Sequence, residues 1–189
     1  MKTIKFRIEG TQPLLLNNAQ TVNPFNEYAK KLKPLRAKKT KTDDDQMEIF
    51  RLEFISSLYY EDGRYIIPSN NIWKSVCDAA KELKKGAKFE RSFFIFQDCL
   101  LDFPEKNLTP SELWEERSHV DIRDVGIKKN RINSCRSIFS EWGLNVECTY
   151  DESQIDRDDV IHIVQIAGLR YGLGTYRTKF GRFKATEIK

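Results

Sequence analysis

The 189-residue sequence has few of the residues that mark stapled or fibrous proteins. Its 4 cysteines, 9 glycines and 6 prolines exclude a disulfide-dense or collagen-like chain. No two cysteines form a CxxC pair and there are only 2 histidines, so the sequence predicts no metal site and no cofactor. We expect four free, mostly buried thiols in a reducing compartment.

Long apolar segments are also missing. Even the longest apolar runs, such as the one at residues 93–96, are short. A helix needs about 20 apolar residues to span a bilayer. Residues 1–7 have neither the apolar core nor the cleavage site of a signal peptide. We therefore expect a cytoplasmic protein that makes no membrane contact.

The residues that are present indicate a folded chain. Hydrophobic residues make up 40% of the sequence and aromatic residues 12%, which excludes disorder throughout and predicts a core for a single domain spanning residues 1–189. The 32 Lys and Arg residues exceed the 28 Asp and Glu residues by a net charge of only +4. That charge alone does not indicate nucleic acid, so the distribution of the bases along the chain matters.

Hydrophobic periodicity predicts the order of the elements. Alternation at Ile4, Phe6 and Ile8 predicts a first strand. Further strands are predicted at 65–67, 92–103, within 119–138, at 141–150 and at 181–188, and helices at 43–59, after 69–71 and after Asp156. Residues 108–118 read as a linker. This order predicts an α+β fold, a ferredoxin-like (RRM-like) antiparallel sheet with helices on one face and a long inserted thumb or loop.

The insertion covers residues 17–45 and is predicted to be a projecting loop, with room for one helical turn near 26–33. No acid interrupts its bases, which are Lys30, Lys31, Lys33, Arg36, Lys38, Lys39 and Lys41. Such bases gain affinity for a phosphate backbone by releasing counterions, and the nearby Phe25 and Tyr28 are able to stack on bases. The alternative is an ordinary solvated surface.

A second basic cluster lies at 123–136. It comprises Arg123, Lys128, Lys129, Arg131 and Arg136, with Asp121 and Asp124 among them. The spacing of these bases is irregular. It fits a nucleic-acid surface, and it equally fits a loop or strand with its polar face outward.

The third candidate is the glycine-rich loop, residues 168–183. It contains Gly168, Gly172, Gly174 and Gly181 together with Arg170, Tyr176, Arg177, Lys179 and Arg182. Glycine lets a backbone approach a ligand closely, and arginine offers a planar fork for phosphate. The loop follows a predicted helix instead of opening one, so it is not a dinucleotide fingerprint. Helix caps and a turn would explain the glycines, but not the bases and aromatic residues beside them.

These segments resemble the RAMP superfamily, the fold group of CRISPR effector backbone and processing subunits, and most closely a family of uncharacterised phage and prophage proteins. The resemblance is carried by 6–10 with 13–15, 38–43 leading into 51–54, 65–68, and 168–183 preceded by 141–142. It implies a ferredoxin-like core with an inserted thumb, single-stranded nucleic acid along a basic face, and copies assembled side by side.

Some members of that superfamily cleave RNA with a loop aspartate or a histidine. Here Asp43, Asp44 and Asp45 lie at the start of a predicted helix, where acids more often serve as a cap. His119 and His162 form no recognisable catalytic pair in the sequence. We therefore predict no enzyme, and a metal-dependent nuclease that uses the aspartates is the weaker alternative.

The prediction is non-enzymatic binding of single-stranded RNA or DNA by an oligomer. Its partners are the nucleic acid and further copies of the chain. The alternative is a phage-encoded interaction module in the host cytoplasm that mimics or engages a host defence complex. The same motifs would then be inherited features of the fold.

Overall fold

The computed structural model describes residues 1–127 and 130–188, and the side chains outside 125–131. The strands are β1 (Lys2–Gly10), β2 (Leu14–Leu15), β3 (Tyr60–Glu61), β4 (Arg64–Ile67), β5 (Phe93–Phe94), β6 (Cys99–Leu100), β7 (Val120–Ile127), β8 (Asn130–Phe139), β9 (Gly143–Tyr150) and β10 (Phe183–Ile188). The helices are α1 (Glu27–Ala37), α2 (Asp43–Ser57), α3 (Ser69–Glu82), α4 (Gly86–Ser92), α5 (Pro110–Glu116) and α6 (Arg157–Ile166), with a 3-10 turn at Ala19–Val22 and a π turn at Ala167–Tyr171.

Contacts between Cα atoms divide the chain into two compact units. Unit 1 contains Met1–Leu15, Arg64–Lys106 and the chain from Phe139 onward, and unit 2 contains Leu16–Gly63 and Asn107–Ile138. The single domain of residues 1–189 stays a prediction.

Unit 1 is built on a four-stranded sheet in the order β10-β1-β9-β5, and every pairing in it is antiparallel. Ile4, Phe6 and Ile8 of β1 are buried, as their alternation predicts. Helices connect β1 to β5 and β9 to β10, which is the connectivity of a split βαβ unit. The predicted α+β class is confirmed, and the topology is compatible with a ferredoxin-like core.

The helices of unit 1 follow the predicted apolar spacing. Ile72, Val76 and Ala80 are buried on α3, and Val160 and Ile163 are buried on α6, which contacts both α3 and β10. The other face of the sheet is open to solvent.

In the described part of the chain, every helix is too short or too polar to span a bilayer.

The strand predicted at 92–103 is broken into the short strands β5 and β6, and it pairs with β9 only near its two ends. Phe93 pairs with Tyr150 and Asp102 with Gly143, so eight residues of this segment lie opposite six of β9. The two extra residues force a bulge, and within it Leu100 pairs with Ile66 of β4 instead. The prediction of one continuous strand was therefore wrong. The apolar pattern of a sequence does not reveal that a segment changes the strand with which it pairs.

Unit 2 packs α1 and α2 around Leu32, Ile49 and Leu52, with Tyr28 and Leu35 at the edge of this cluster. The α2 helix also packs against α5, where the rings of Phe54 and Trp114 have centroids 5.7 Å apart. The β7–β8 hairpin is antiparallel, with Val120 opposite Ser137 and Ile122 opposite Cys135. The hydroxyl of Ser57 on α2 lies 2.9 Å from that of Ser137 and joins this helix to the hairpin.

Two predicted loops are helices in the structure. Residues 27–37 form α1, because the Asn26 side chain accepts hydrogen bonds from the N–H groups of Tyr28 and Ala29, and Leu32 is buried against α2. Packing therefore overrides Pro34, which would cost about 3 kcal/mol in a helix interior. The predicted linker at 108–118 contains α5, which begins with a capping box between Thr109 and Glu112.

Candidate nucleic-acid interface

The bases of residues 30–41 lie on α1 and in the turn that follows it. Lys30, Lys33 and Lys39 are exposed and form no salt bridge in the part of the chain that the structure describes. Lys41 is also exposed, and its ammonium donates to the carbonyl of Lys38. These four lysines are exposed cations of unit 2 that remain available to an external phosphate.

Three other bases of the same segment are held by acids. Lys31 lies 3.0 Å from Glu27, Arg36 lies 2.7 Å from Glu53, and Lys38 lies 2.5 Å from Asp45. The uninterrupted basic run in the sequence is therefore partly neutralised in the fold. Lys31, Arg36 and Lys38 thus already have acidic partners, and their role in nucleic-acid binding stays a prediction.

Glu53 connects the first two predicted clusters. One oxygen of its carboxylate accepts from Arg36 on α1, and the other accepts from the backbone N–H of Cys135 on β8, at 2.8 Å. The Glu53 side chain is only 12% exposed, so the contact is largely shielded from water. It fixes Arg36 beside the strand that carries Arg136.

The aspartates considered as nuclease residues form the first turn of α2. The Thr42 side chain accepts from the N–H of Asp45, and the Asp45 carboxylate accepts from the N–H of Thr42, which completes a capping box. Hydrogen bonds from Lys38 and from the Thr42 backbone lower the pKa of Asp45. The geometry is that of a helix cap, which was the preferred interpretation of these acids.

The second basic cluster is only partly described. Both oxygens of the Asp121 carboxylate accept from the Arg123 guanidinium at 2.5 Å, within one face of β7, so Arg123 is neutralised locally. Arg136 is half-buried on β8. Lys128, Lys129 and the side chain of Arg131 lie outside the described residues, and their role stays a prediction.

Backbone hydrogen bonds hold the glycine-rich loop against residues 13–15. The N–H of Thr175 donates to the Leu15 carbonyl at 2.8 Å, and the N–H of Gly181 donates to the Pro13 carbonyl at 2.7 Å. Gly174 has φ +75°, and a Cβ there would lie 2.3 Å from the Leu15 oxygen. Glycine is required at this position because the two backbones approach so closely.

Acids on α3 hold two arginines of the same loop. Arg170 lies 2.5 Å from Glu82, which also accepts from the Tyr171 hydroxyl at 3.0 Å. The Arg177 guanidinium lies 3.5 Å from Asp78. Asp78 and Glu82 are four residues apart and so lie on one face of α3.

The tip of the loop, residues 175–179, faces solvent in a strained conformation. Tyr176 has φ 51° and Thr178 has φ 78°, values that residues other than glycine rarely adopt. Tyr176 is 46% exposed and Lys179 is also exposed. Strain of this kind concentrates at ligand-binding segments, where the surrounding structure maintains it. Behind the tip, Arg182 is half-buried, and its Nε has no hydrogen-bond partner in the described part of the protein.

The two histidines lie in different units. His119 is buried in unit 2 with its Nδ1 3.0 Å from the Ile138 carbonyl oxygen, whereas His162 is exposed on α6 of unit 1. Within the described ranges, no group of three His, Cys, Asp or Glu side chains is arranged to hold a metal ion.

The structure therefore sorts the predicted site residues into two groups. The glycine-rich loop belongs to unit 1, and both other basic clusters belong to unit 2. Sequence reasoning missed the acids that hold the bases, namely Glu53, Asp78 and Glu82. The spacing of Asp78 and Glu82 on a predicted helix places them on one face, but nothing in the sequence identifies their partners.

Comparison with known proteins gives a fold relationship only. No protein-family model and no curated protein matches the sequence. A solved chain of the Type III-B Cmr-beta, determined by cryo-EM bound to cognate target RNA, is similar with a TM-score of 0.53 and 13% identity. The match covers 100% of this chain and 61% of that chain, so this protein spans less than two thirds of its length. The structural similarity to the Cmr-beta chain is consistent with a RAMP-like fold. The resemblance to the phage and prophage family stays a prediction.

Proposed function

We propose that this protein binds single-stranded nucleic acid without catalysing a reaction. The observation that carries the proposal is the set of exposed lysines on and after α1, namely Lys30, Lys33, Lys39 and Lys41, which have no acidic partner in the described part of the chain. An exposed lysine without an acid partner contributes its full counterion release when a phosphate binds, and a lysine that is already paired contributes less.

The glycine-rich loop supplies a second contact surface. Its backbone is fixed by hydrogen bonds to Pro13 and Leu15, so little conformational entropy is lost when a ligand binds to it. Its exposed tip presents the ring of Tyr176 and the ammonium of Lys179. An aromatic face beside a cation is the combination that proteins use to hold single strands without sequence preference.

The fold supports the same proposal, since the similar Cmr-beta chain belongs to a structure bound to target RNA. The resemblance to the RAMP superfamily adds the proposal that copies of this chain associate side by side along a strand. The ligand is single-stranded RNA or DNA.

Charge reversal tests the proposal. We expect Lys30→Glu with Lys33→Glu to weaken binding of a fluorescently labelled, unstructured oligonucleotide equally for every sequence tested. Lys84→Glu with Lys88→Glu is the matched control, because it changes the net charge equally at exposed positions outside the proposed surface. Equal losses for the two variants would show that net charge, and not this surface, is responsible.

The alternative of an interaction module for a host complex predicts a different result. Its partner would be a protein that stays bound to the immobilised wild-type chain after nuclease treatment. Nucleic-acid binding instead predicts that the captured material is lost when nuclease is added.

A further inference from the structure

The open face of the unit 1 sheet has its own chemistry. Its cations lie beside acids. Lys5 lies 3.1 Å from Glu147, and Arg7 lies 3.0 Å from Asp102. Lys184 of β10 is opposite Glu9 in the register of β1 and β10. This face therefore offers little net positive charge to a phosphate backbone. Any ligand that it binds must be held by other forces.

An exposed aromatic pair supplies such a force. Phe96 is 73% exposed in the bulge between β5 and β6, although full burial of such a ring is normally favourable. Its ring is stacked on that of Phe94, with centroids 5.7 Å apart and planes inclined by 11°. Because Phe94 holds one side of the pair in a fixed orientation, Phe96 presents a flat aromatic surface to solvent.

A groove of about 480 Å³ adjoins this ring. Polar side chains form much of its lining, among them Gln97, Asn145 and Thr149, and Lys5 and Glu147 lie at the same surface. Its volume lies in the range of small-ligand sites, which is about 300–1,000 Å³. The side chains include both donors and acceptors, which suits a ligand that is flat, aromatic and polar at its edge.

We propose that one unpaired base of a bound single strand stacks on Phe96 in this groove. The inference deepens the proposed function and rests on it. A nucleobase needs one aromatic face and hydrogen-bonding groups in its own plane, and the groove has both. A protein partner would need a contiguous apolar patch, whereas the groove beside Phe96 is lined mainly by polar and charged residues.

The test uses an oligonucleotide that carries a single 2-aminopurine, whose fluorescence is quenched when it stacks. Phe96→Leu removes the aromatic face but keeps an apolar side chain, and we expect it to weaken binding by about tenfold. Phe96→Tyr keeps the ring and should retain both affinity and quenching. Leu100→Ala is the matched control, because Leu100 is also apolar and 53% exposed in the same segment but has no ring.

Salt dependence separates this inference from the proposed function. Stacking releases no counterions, so Phe96→Leu should lower affinity without changing the salt slope. Wild-type binding with a steep salt slope, combined with unchanged affinity and quenching in Phe96→Leu, would overturn the stacking site and leave the proposed function intact. Wild-type protein that shows no salt-dependent binding would overturn both.

Discussion

The guanidinium of Arg177 in the glycine-rich loop lies 3.5 Å from the carboxylate of Asp78 on α3. The same carboxylate lies 2.9 Å from Lys81 and 3.2 Å from Lys74, and its side chain is 18% exposed. Asp78 therefore occupies, for Arg177, the position that a phosphate oxygen would take. In the proposed complex the nucleic acid competes with this internal acid.

The first prediction follows from that competition. Asp78→Asn removes the competing charge, so we expect tighter binding of single-stranded oligonucleotides and a salt slope that is steeper by about 0.7 for each released cation that contacts a phosphate. Asp158→Asn is the matched control, because it removes one negative charge at a side chain that is 97% exposed. Fluorescence anisotropy at several salt concentrations measures both quantities. Unchanged affinity in a folded Asp78→Asn protein would contradict a role for Arg177 in binding.

The second prediction concerns the close backbone contact at Gly174. Gly63 and Gly174 both have φ +75°, but a Cβ at Gly63 would meet nothing within 4 Å, whereas at Gly174 it would lie 2.3 Å from the Leu15 oxygen. Gly63→Ala should lower the free energy of unfolding by about 1–2 kcal/mol, the cost of the left-handed conformation. Gly174→Ala should lower it further, because a clash is added to the same strain.

Chemical denaturation measures this difference directly. Equal losses of stability for the two alanine variants would show that the contact between the loop and Leu15 is looser than described. A larger loss at Gly174 would also predict weaker oligonucleotide binding, because the loop that holds Arg177 would shift.

The third prediction concerns pH. Burial raises the pKa of the Cys77 thiol from 9.0 to about 12, and the nearby charge of Glu90 adds to the shift. The pKa of Cys77 is thus higher in the folded protein than in the unfolded chain. The contribution of the buried thiol to the free energy of unfolding is therefore fully present below about pH 9 and falls as the pH rises toward 12. Burial likewise raises the pKa of Cys99 to about 11 and that of Cys135 to about 12.

Urea unfolding under reducing conditions tests the sign, with the pH raised from about 8 to about 10. We expect the free energy of unfolding to fall over this interval. In Cys77→Ala the fall should be smaller, although the variant is less stable at every pH because buried volume is lost. The same pH dependence in both proteins would show that Cys77 is not shielded from water.

Much of the sheet and the positions of α2, α3 and α6 could be predicted from the sequence, because an element with one buried face shows a clear period in its apolar residues. The alternation of β1 and the spacing on α3 are examples, and both are confirmed. The α1 helix was missed because Pro34 and a low apolar content oppose it locally. Its stability comes from Leu32 packing against α2, which only the tertiary structure contains.

The candidate site was less predictable, because the net positive charge of a basic cluster depends on which acids the fold places beside it. The run from Lys30 to Lys41 contains no acid in sequence, yet Glu53 reaches it from α2. Asp78 and Glu82 reach the glycine-rich loop from a helix about ninety residues earlier in the chain. Local sequence gives the bases but not their partners.

The change of binding affinity with salt tests the central claim most directly. Wild-type protein is titrated with a labelled single-stranded oligonucleotide at increasing KCl concentration. If exposed lysines hold the phosphates, log K falls linearly with log salt, with a slope of about −0.7 for each phosphate contacted. Binding that does not change with salt, or no binding at low salt, would contradict the account.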